Sequence, residues 1–194
     1  LQLQSANDYR WNWTAQQRFY WQLAWRVPSL KPSTALFFQT EPFENQGLFS
    51  TSAAINLLYP QAENMPVDPQ TGERQLSYWV YTLSPRYGKA PESFDTDIGT
   101  QFRTLKFTGN MRDSLLLYND RNISDCLWVL SSRDAENPRL PNLVKDFLPI
   151  SDLDRILPQQ TDGFPAEDLF GPEPEHTTWC YYFEKADLAR QFQD

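Results

Sequence analysis

The feature that most constrains this chain is an aromatic-rich segment near its start. Residues 8–27 contain seven aromatic side chains: Tyr9, Trp11, Trp13, Phe19, Tyr20, Trp21 and Trp25. The segment predicts a helix of about five turns, because Asn7 or Asp8 can cap its first turn and Pro28 cannot continue it. These rings spread over more than one helix face. A helix that is apolar on most sides is buried between layers or covered by another segment, so the fold must enclose much of this one.

The composition excludes several classes of protein. The chain has 194 residues, of which 40% are hydrophobic, so it can bury a core and is not a disordered tail. No uncharged apolar run approaches the roughly 18 residues of a membrane span. A formal net charge of -8 argues against nucleic acid as a partner, since nucleic-acid binding rewards clustered Lys and Arg. One His and two Cys are too few for a structural zinc site, and we expect neither a metal nor a cofactor.

The rest of the pattern predicts a mixed α/β fold. Apolar segments rich in aromatic and β-branched residues predict strands, and the segment between Ser50 or Thr51 and Pro60 predicts a second helix. The predicted strands are 34–39, 76–83, 101–107, 114–118 and 126–130, and the predicted helix is 49–59. Short turns at 108–110 and 119–122 favour an antiparallel run for the last three strands. We expect a mixed sheet of about five strands covered by helices.

Negative charge is concentrated in the last quarter of the chain. Residues 1–145 carry equal numbers of acidic and basic side chains, whereas residues 146–194 carry 11 acidic and 3 basic ones. A local excess of this kind is usually a solvated face, and less often it docks a basic partner. The whole net charge therefore belongs to the C-terminal segment.

The chain divides into three predicted parts. Residues 1–131 form the mixed α/β domain, 132–178 an irregular acidic arm packed on it, and 179–194 the start of a helical, repeat-like segment. The arm is Pro-rich and contains at most two short helices, within 140–147 and 151–157. In the last segment four residues recur at helical spacing: Tyr182, Ala186, Leu188 and Ala189.

No constellation of catalytic residues stands out. The chain has no GxSxG nucleophile motif and no Gly-rich phosphate loop. His176 lies four residues before Cys180, so a thiolate–histidine dyad is one hypothesis, although a lone histidine in a Pro-rich segment more often has a structural role. Three carboxylate pairs have i, i+2 spacing, namely Asp95/Asp97, Asp152/Asp154 and Glu173/Glu175. Spacing alone does not place a pair in a cleft, so the catalytic residues stay unknown.

The two cysteines allow two interpretations. Outside the cytoplasm Cys126 and Cys180 tend to pair and close a long loop. In the cytosol they stay free, partly buried thiols. The residues by themselves leave this choice open.

Three segments resemble a known group of membrane proteins. They are WNWTAQQRFYWQLAWRVPSLKPSTAL at 11–36, FSTSAAINLLYP at 49–60 and FGPEPEHTTWCYYFEKADLARQFQD at 170–194. These segments are similar to the water-exposed region of large, uncharacterised multi-pass bacterial membrane proteins. In that group an N-terminal block of membrane helices resembles lipid-carrier-dependent glycosyltransferases, and helical repeats follow the exposed region. The resemblance covers most of the chain and supplies no catalytic motif.

The resemblance implies a setting for the chain. A start at Leu1 without Met fits a position after the last membrane helix, where the Trp-rich first helix would lie near the membrane surface. The uncapped final helix would begin a tetratricopeptide-like pair, with Ala186 and Ala189 as small packing positions. On the extracytoplasmic face of the cell membrane, a disulfide between Cys126 and Cys180 is expected. The implied partners are the membrane helices of its own parent chain and a protein or a glycan.

The sequence therefore predicts a non-catalytic extracytoplasmic domain that acts in assembly or substrate presentation. The predicted interaction surface combines positions of the first helix with the acidic segment before the last one: Trp11, Trp21, Trp25, Glu173, Glu175 and His176. One alternative is an accessory domain of a membrane glycosyltransferase that contacts a glycan or a lipid-linked sugar, because sugar faces stack on exposed rings. A second alternative is a hydrolase that uses a carboxylate pair or His176.

Overall fold

The structure, a computed structural model, describes residues 2–43, 46–59, 67–83, 91–119, 124–159 and 165–193, with side chains between residues 10 and 192 of those ranges. The described residues form five α-helices: α1 (Gln2–Arg26), α2 (Leu48–Leu58), α3 (Asn142–Asp146), α4 (Glu167–Phe170) and α5 (Trp179–Gln193). They also form nine strands: β1 (Ser29–Leu30), β2 (Thr34–Phe38), β3 (Arg74–Gln75), β4 (Tyr78–Thr82), β5 (Asp97–Phe102), β6 (Leu105–Asn110), β7 (Ser114–Tyr118), β8 (Trp128–Leu130) and β9 (Ile156–Leu157). The predicted mixed α/β class is confirmed.

A four-stranded sheet forms the centre of the fold, with the strand order β4-β2-β7-β8. β2 runs parallel to both β4 and β7, and β8 is antiparallel to β7. Every residue of β2, β4 and β7 is buried, as is typical of parallel strands covered on both faces. Side chains alternate along β2, so Leu36 and Phe38 join the core that contains α1 and α2, while Ala35 and Phe37 join a second core on the other face.

The antiparallel run predicted for the last strands is correct only for β7 and β8. β5 and β6 instead form a separate sheet with β3, and β1 pairs with β9, so the strands divide among three sheets. The predicted strand 101–107 is wrong, because Arg103, with a φ of 55°, turns the chain between β5 and β6. The predicted turn at 108–110 lies inside β6. A Cβ at Gly109 would lie 2.9 Å from the Ser33 carbonyl oxygen, so this glycine permits a close approach and not a turn.

Helix α1 is longer than predicted, and it ends at Arg26, shortly before Pro28, which cannot continue a helix. It begins at Gln2, before the predicted caps Asn7 and Asp8. Asn or Asp inside a helix destabilises it by less than about 1 kcal/mol relative to Ala, so the helix can continue through both residues. Residues 19–28 are all buried, so the fold encloses the second half of the aromatic segment. The first half carries the exposed rings.

The acidic arm, residues 132–178, packs against the central sheet. Its apolar residues Phe147 and Ile150 are buried in the second core. Arg155 donates hydrogen bonds from Nε to Thr34 Oγ1 at 2.9 Å and from Nη1 to Asp113 Oδ1 at 3.1 Å. The arm therefore shares its core with the strands, and it leads into α5, which packs on α1.

Candidate functional site

The structure brings three of the predicted surface residues together where the end of α1 meets the start of α5. Trp25 lies in the last turn of α1, and Glu173 and His176 lie in the segment between α4 and α5. Tyr181, in the first turn of α5, completes the group. We call Trp25, Glu173, His176 and Tyr181 the α1–α5 corner.

One carboxylate oxygen organises the α1–α5 corner. Glu173 Oε1 accepts a hydrogen bond from Trp25 Nε1 at 2.8 Å and lies 2.8 Å from His176 Nε2. The His176 ring stacks on the Tyr181 ring, with centroids 4.0 Å apart and planes inclined by 5°. The Trp25 ring meets Tyr181 edge to face at 5.1 Å. A single acidic side chain thus connects α1 to the segment that leads into α5.

The carboxyl group of Glu173 is kept ionised by its partners. Burial raises its pKa, but the hydrogen bonds from His176 and Trp25, together with the charges of His176 and Lys185, outweigh burial and hold the pKa below its usual range. A carboxyl whose native pKa is lowered stabilises the fold above its unfolded-state pKa. That contribution is lost as pH falls through the native value, so the corner is expected to loosen in acid.

A histidine oriented by a carboxylate is part of many catalytic triads, but the corner has no activated nucleophile. Cys180, the predicted partner of His176, is bonded to Cys126. The predicted thiolate–histidine dyad is therefore wrong, because a sulfur in a disulfide is not a thiolate. Within the described part of the chain, the His176 side chain hydrogen-bonds to Glu173 and to no hydroxyl group.

The Cys126–Cys180 disulfide fastens α5 to the central sheet. Cys126 lies just before β8, Cys180 is the second residue of α5, and their Cα atoms are 5.0 Å apart. Beside the bond, the Phe183 ring packs on the Trp128 ring with centroids 5.7 Å apart. The first turn of α5 is therefore held covalently as well as by packing.

The other predicted surface residues do not join the corner. Trp11 is 64% exposed, but its position in α1 places it about 21 Å along the helix axis from Trp25. Trp21 and Trp25 are almost fully buried, because α4 and α5 cover the second half of α1, so including these two in an interaction surface was wrong. Glu175 is exposed, as predicted for a surface residue.

The carboxylates of two predicted pairs accept hydrogen bonds from residues near them in the fold. Asp95 and Asp97 are exposed and both accept hydrogen bonds from Asn110 Nδ2, at 3.3 and 3.2 Å. Asp152 Oδ1 accepts a hydrogen bond from the Asp154 backbone N–H at 3.0 Å and so caps a short 3-10 helix. Among the residues that the structure describes, no group of three or more His, Cys, Asp or Glu side chains could hold a metal ion.

Sequence reasoning missed a buried charge cluster next to the corner, formed by Arg26, Glu184 and Asp187. The nearly fully buried Arg26 donates from Nε to Asp187 Oδ2 at 2.7 Å and from Nη1 to Gln191 Oε1 at 2.9 Å. Glu184 has no exposed surface, and neither of its carboxyl oxygens has a hydrogen-bond partner in the described ranges. A signal was present in the sequence, because Cys180, Glu184, Asp187 and Gln191 recur at spacings of four, three and four on one face of α5.

The buried charge cluster holds Glu184 in its neutral form. Burial raises the pKa of Glu184 well above its usual range, and repulsion from Asp187 adds to the rise, although Arg26 opposes it. Below the unfolded-state pKa both folded and unfolded chains carry the proton. As pH rises above that value only the unfolded chain loses its proton, so Glu184 lowers the stability of the fold toward neutral pH.

We expect the Glu184→Gln variant to be more stable than the wild type at pH 8, by roughly 1.4 kcal/mol for each pH unit over which only the unfolded wild type has lost its proton. The amide has nearly the same shape as the protonated carboxyl group and cannot ionise. The difference should shrink toward pH 4, where both side chains are neutral. Urea unfolding of both proteins between pH 4 and pH 8 measures it.

A matched control is Glu136→Gln, which changes an exposed carboxyl group and should leave stability almost unchanged at either pH. A Glu184→Gln protein that is less stable than the wild type at pH 8 would show that Glu184 is ionised and paired in the fold.

Across the described ranges, no helix has both the length and the apolar character needed to cross a membrane. The chain matches no protein-family model, no curated protein and no solved structure.

Proposed function

We propose that this chain is a non-catalytic domain that acts outside the cytoplasm, as the water-exposed part of a multi-pass bacterial membrane protein, in assembly or substrate presentation. The Cys126–Cys180 disulfide is the observation that carries the proposal. Disulfides form and persist in oxidising compartments and are rare in the cytosol. A bond that fastens the last helix to the central sheet is therefore a structural part of an exported domain.

The arrangement of polar groups supports a non-catalytic role. At the α1–α5 corner, the carboxylate of Glu173 and the imidazole of His176 serve to join two helices. In an enzyme of the hydrolase class a base of this kind faces a nucleophile across an open cleft. Here the His176 ring is instead stacked on Tyr181, which favours a domain that presents surfaces over one that carries out a reaction.

The proposed location is tested by labelling intact cells that express the full-length parent chain. Glu136 is exposed and the two native cysteines of the domain are bonded to each other, so Glu136→Cys adds one accessible thiol. We expect a membrane-impermeant maleimide to label this thiol in intact cells. Labelling only after the cells are permeabilised would place the domain in the cytoplasm and overturn the proposal.

An accessory glycan-binding domain is the second candidate, and exposed tryptophan rings favour it. Trp11 and Trp179 are 64% and 74% exposed, and such rings can stack on sugar faces. If this candidate is correct, the protein binds members of a glycan array, and Trp11→Ala or Trp179→Ala weakens that binding by about tenfold or more. The absence of binding by the wild type would eliminate it.

A further inference from the structure

Strand β5 lies at the edge of its sheet, which has the order β3-β6-β5. Along an antiparallel edge strand, residues alternate between bonding to the neighbouring strand and pointing their backbone groups outward. The hydrogen bond from the Met111 N–H to the Thr96 carbonyl oxygen, at 2.9 Å, fixes this alternation, so the even-numbered residues of β5 bond to β6. The residues with outward backbone groups are Asp97, Gly99 and Gln101.

The outward edge of β5 is open to another strand. Asp97, Gly99 and Gln101 are all exposed, and their N–H and C=O groups form no hydrogen bond with any other residue that the structure describes. The strand contains no Pro and no Lys, two residues that commonly protect a sheet edge. An extended segment can therefore add to this sheet through backbone hydrogen bonds.

The central sheet has an edge at β4 that is closed by side chains. Asn56 of α2 donates from Nδ2 to the Tyr78 carbonyl oxygen at 2.8 Å and accepts from the Tyr78 N–H at 3.2 Å. Ser52 Oγ accepts from the Val80 N–H at 2.9 Å. Side chains of α2 thus take the place of a neighbouring strand at β4. The fold protects that edge and leaves the edge of β5 open.

A second copy of β5 fits this edge in the antiparallel orientation. With the two Gly99 residues opposite each other on a two-fold axis, Asp97 of each copy lies opposite Gln101 of the other. Every outward residue then faces an outward residue, and each of the three pairs exchanges two hydrogen bonds. On the opposite face of the strand, Ile98 of each copy lies opposite Thr100 of the other, which is a favourable pair of β-branched side chains.

The two ends of β5 carry opposite charge. Asp95 and Asp97 are exposed at the start of the strand. At its other end Arg103 is exposed in the turn, and Lys106 and Arg74 are exposed on the two neighbouring strands. An antiparallel pair of β5 strands places the acidic end of each copy beside the basic end of the other. The charges therefore favour a second copy in this orientation.

Opposite charges close to each end leave its sign unchanged. Near the acidic end, Arg112 donates its backbone N–H to the Asn110 side chain, which also bonds both aspartates, and Asp113 is paired with Arg155. Near the basic end, Glu73 accepts a hydrogen bond from a β5 side chain at 2.8 Å. Two acidic groups thus stand against one basic group at the start, and three basic groups against one acidic group at the other end.

We propose that this chain forms a two-fold dimer in which the β5 strands of two copies pair in the antiparallel orientation and join the two three-stranded sheets into one of six strands. Both open edges are used in the pair, so association stops at the dimer. A strand edge buries much less than the roughly 1,600 Å² of a stable complex, so we expect a dissociation constant of about 100 μM. The pairing does not depend on the location proposed above, so the two proposals can fail separately.

Sedimentation equilibrium of the whole chain, at concentrations up to about 1 mM, is expected to show a monomer–dimer equilibrium. Gly99→Pro removes an outward N–H and keeps every hydrogen bond between β5 and β6, so it should weaken the dimer by about tenfold or more. The matched control is Gly99→Ala, which keeps the N–H. Its Cβ would lie 3.4 Å from the Phe107 carbonyl oxygen, an ordinary contact, so the dissociation constant should stay almost unchanged.

Amide hydrogen exchange of the wild type tests the pairing without any substitution. The amides of Ile98 and Thr100 bond to β6 and should be protected at every concentration. Those of Asp97, Gly99 and Gln101 should gain protection only as the dimer forms. A chain that stays monomeric at about 1 mM would leave β5 to a strand of a different protein and would overturn the proposal. A dimer in which these three amides stay unprotected, or which Gly99→Pro leaves intact, would overturn it as well.

Discussion

The Arg26→Met variant is expected to lose about 3 kcal/mol of unfolding free energy, which is the low end of the range for removing one partner of a buried ion pair. Arg26 is almost fully buried, and its guanidinium bonds to both Asp187 and Gln191. Met fills a similar volume without a charge. The loss of stability therefore measures the cost of removing the Arg26 partner of Asp187 and Gln191 on α5. Urea unfolding at pH 7 measures the loss.

The loss should also depend on pH. Burial raises the pKa of Asp187, but Arg26 and Arg190 outweigh burial and lower it. The ion pair therefore stabilises the fold above the unfolded-state pKa of Asp187, and its contribution disappears as pH falls through the native value. The difference between wild type and Arg26→Met should accordingly become smaller in acid.

The control for Arg26→Met is Arg190→Met, because both arginines bond to the same carboxylate of Asp187. Arg190 is 59% exposed, and an exposed pair contributes between about 0 and 1 kcal/mol. Losses of similar size in the two variants would mean that Arg26 is solvated and that the buried charge cluster does not hold the helices together.

Reduction of the Cys126–Cys180 disulfide is expected to lower the unfolding free energy by about 4 kcal/mol, the loop-closure value for a sequence separation of 54 residues. The bond restricts the unfolded chain, so most of its effect is on the unfolded state. In the folded state, reduction frees the first turn of α5, while the Arg26–Asp187 pair still holds its middle. Urea unfolding with and without a phosphine reductant measures the change.

Hydrogen exchange adds a local test of the disulfide. After reduction we expect faster exchange in the first turns of α5, after Cys180, than at Gln191 near its end. The Cys126→Ala/Cys180→Ala variant serves as the control, because its stability should match the reduced wild type and should not respond to the reductant. A wild type that is equally stable with and without the reductant would contradict the structural role of the bond.

Local patterns in the sequence were enough to find the elements of the central sheet. β2, β7 and α2 lie within one residue of their predicted bounds, since continuous apolar runs and a terminal proline are local signals. The position of the turn between β5 and β6 was not predictable in the same way. Residues 101–110 contain a glycine that suggests a turn, but the turn lies at Arg103, and a Cβ at Gly109 would instead meet the Ser33 carbonyl oxygen at 2.9 Å and the Phe107 ring at 3.0 Å.

The α1–α5 corner likewise combines residues that the sequence singled out with contacts that only the fold creates. The sequence singled out Trp25, Glu173 and His176 as residue types that recognise partners, and the fold brings all three together. It could not show that the Trp25 ring is buried against Glu173 and Tyr181, because these contacts join segments about 150 residues apart. Whether a side chain is exposed depends on what packs over it.

By itself, the sequence determined that this acidic chain builds a mixed α/β domain around an aromatic helix that ends before Pro28. Helix capping, strand propensity and charge are properties of neighbouring residues, so they can be recognised without the fold. Only the tertiary structure decided that Cys126 meets Cys180, that Glu184 lies buried beside Arg26, and that Trp179 and Tyr182 of α5 are exposed. The reason is that burial and pairing arise between residues far apart in the chain, where no local pattern records which surfaces meet.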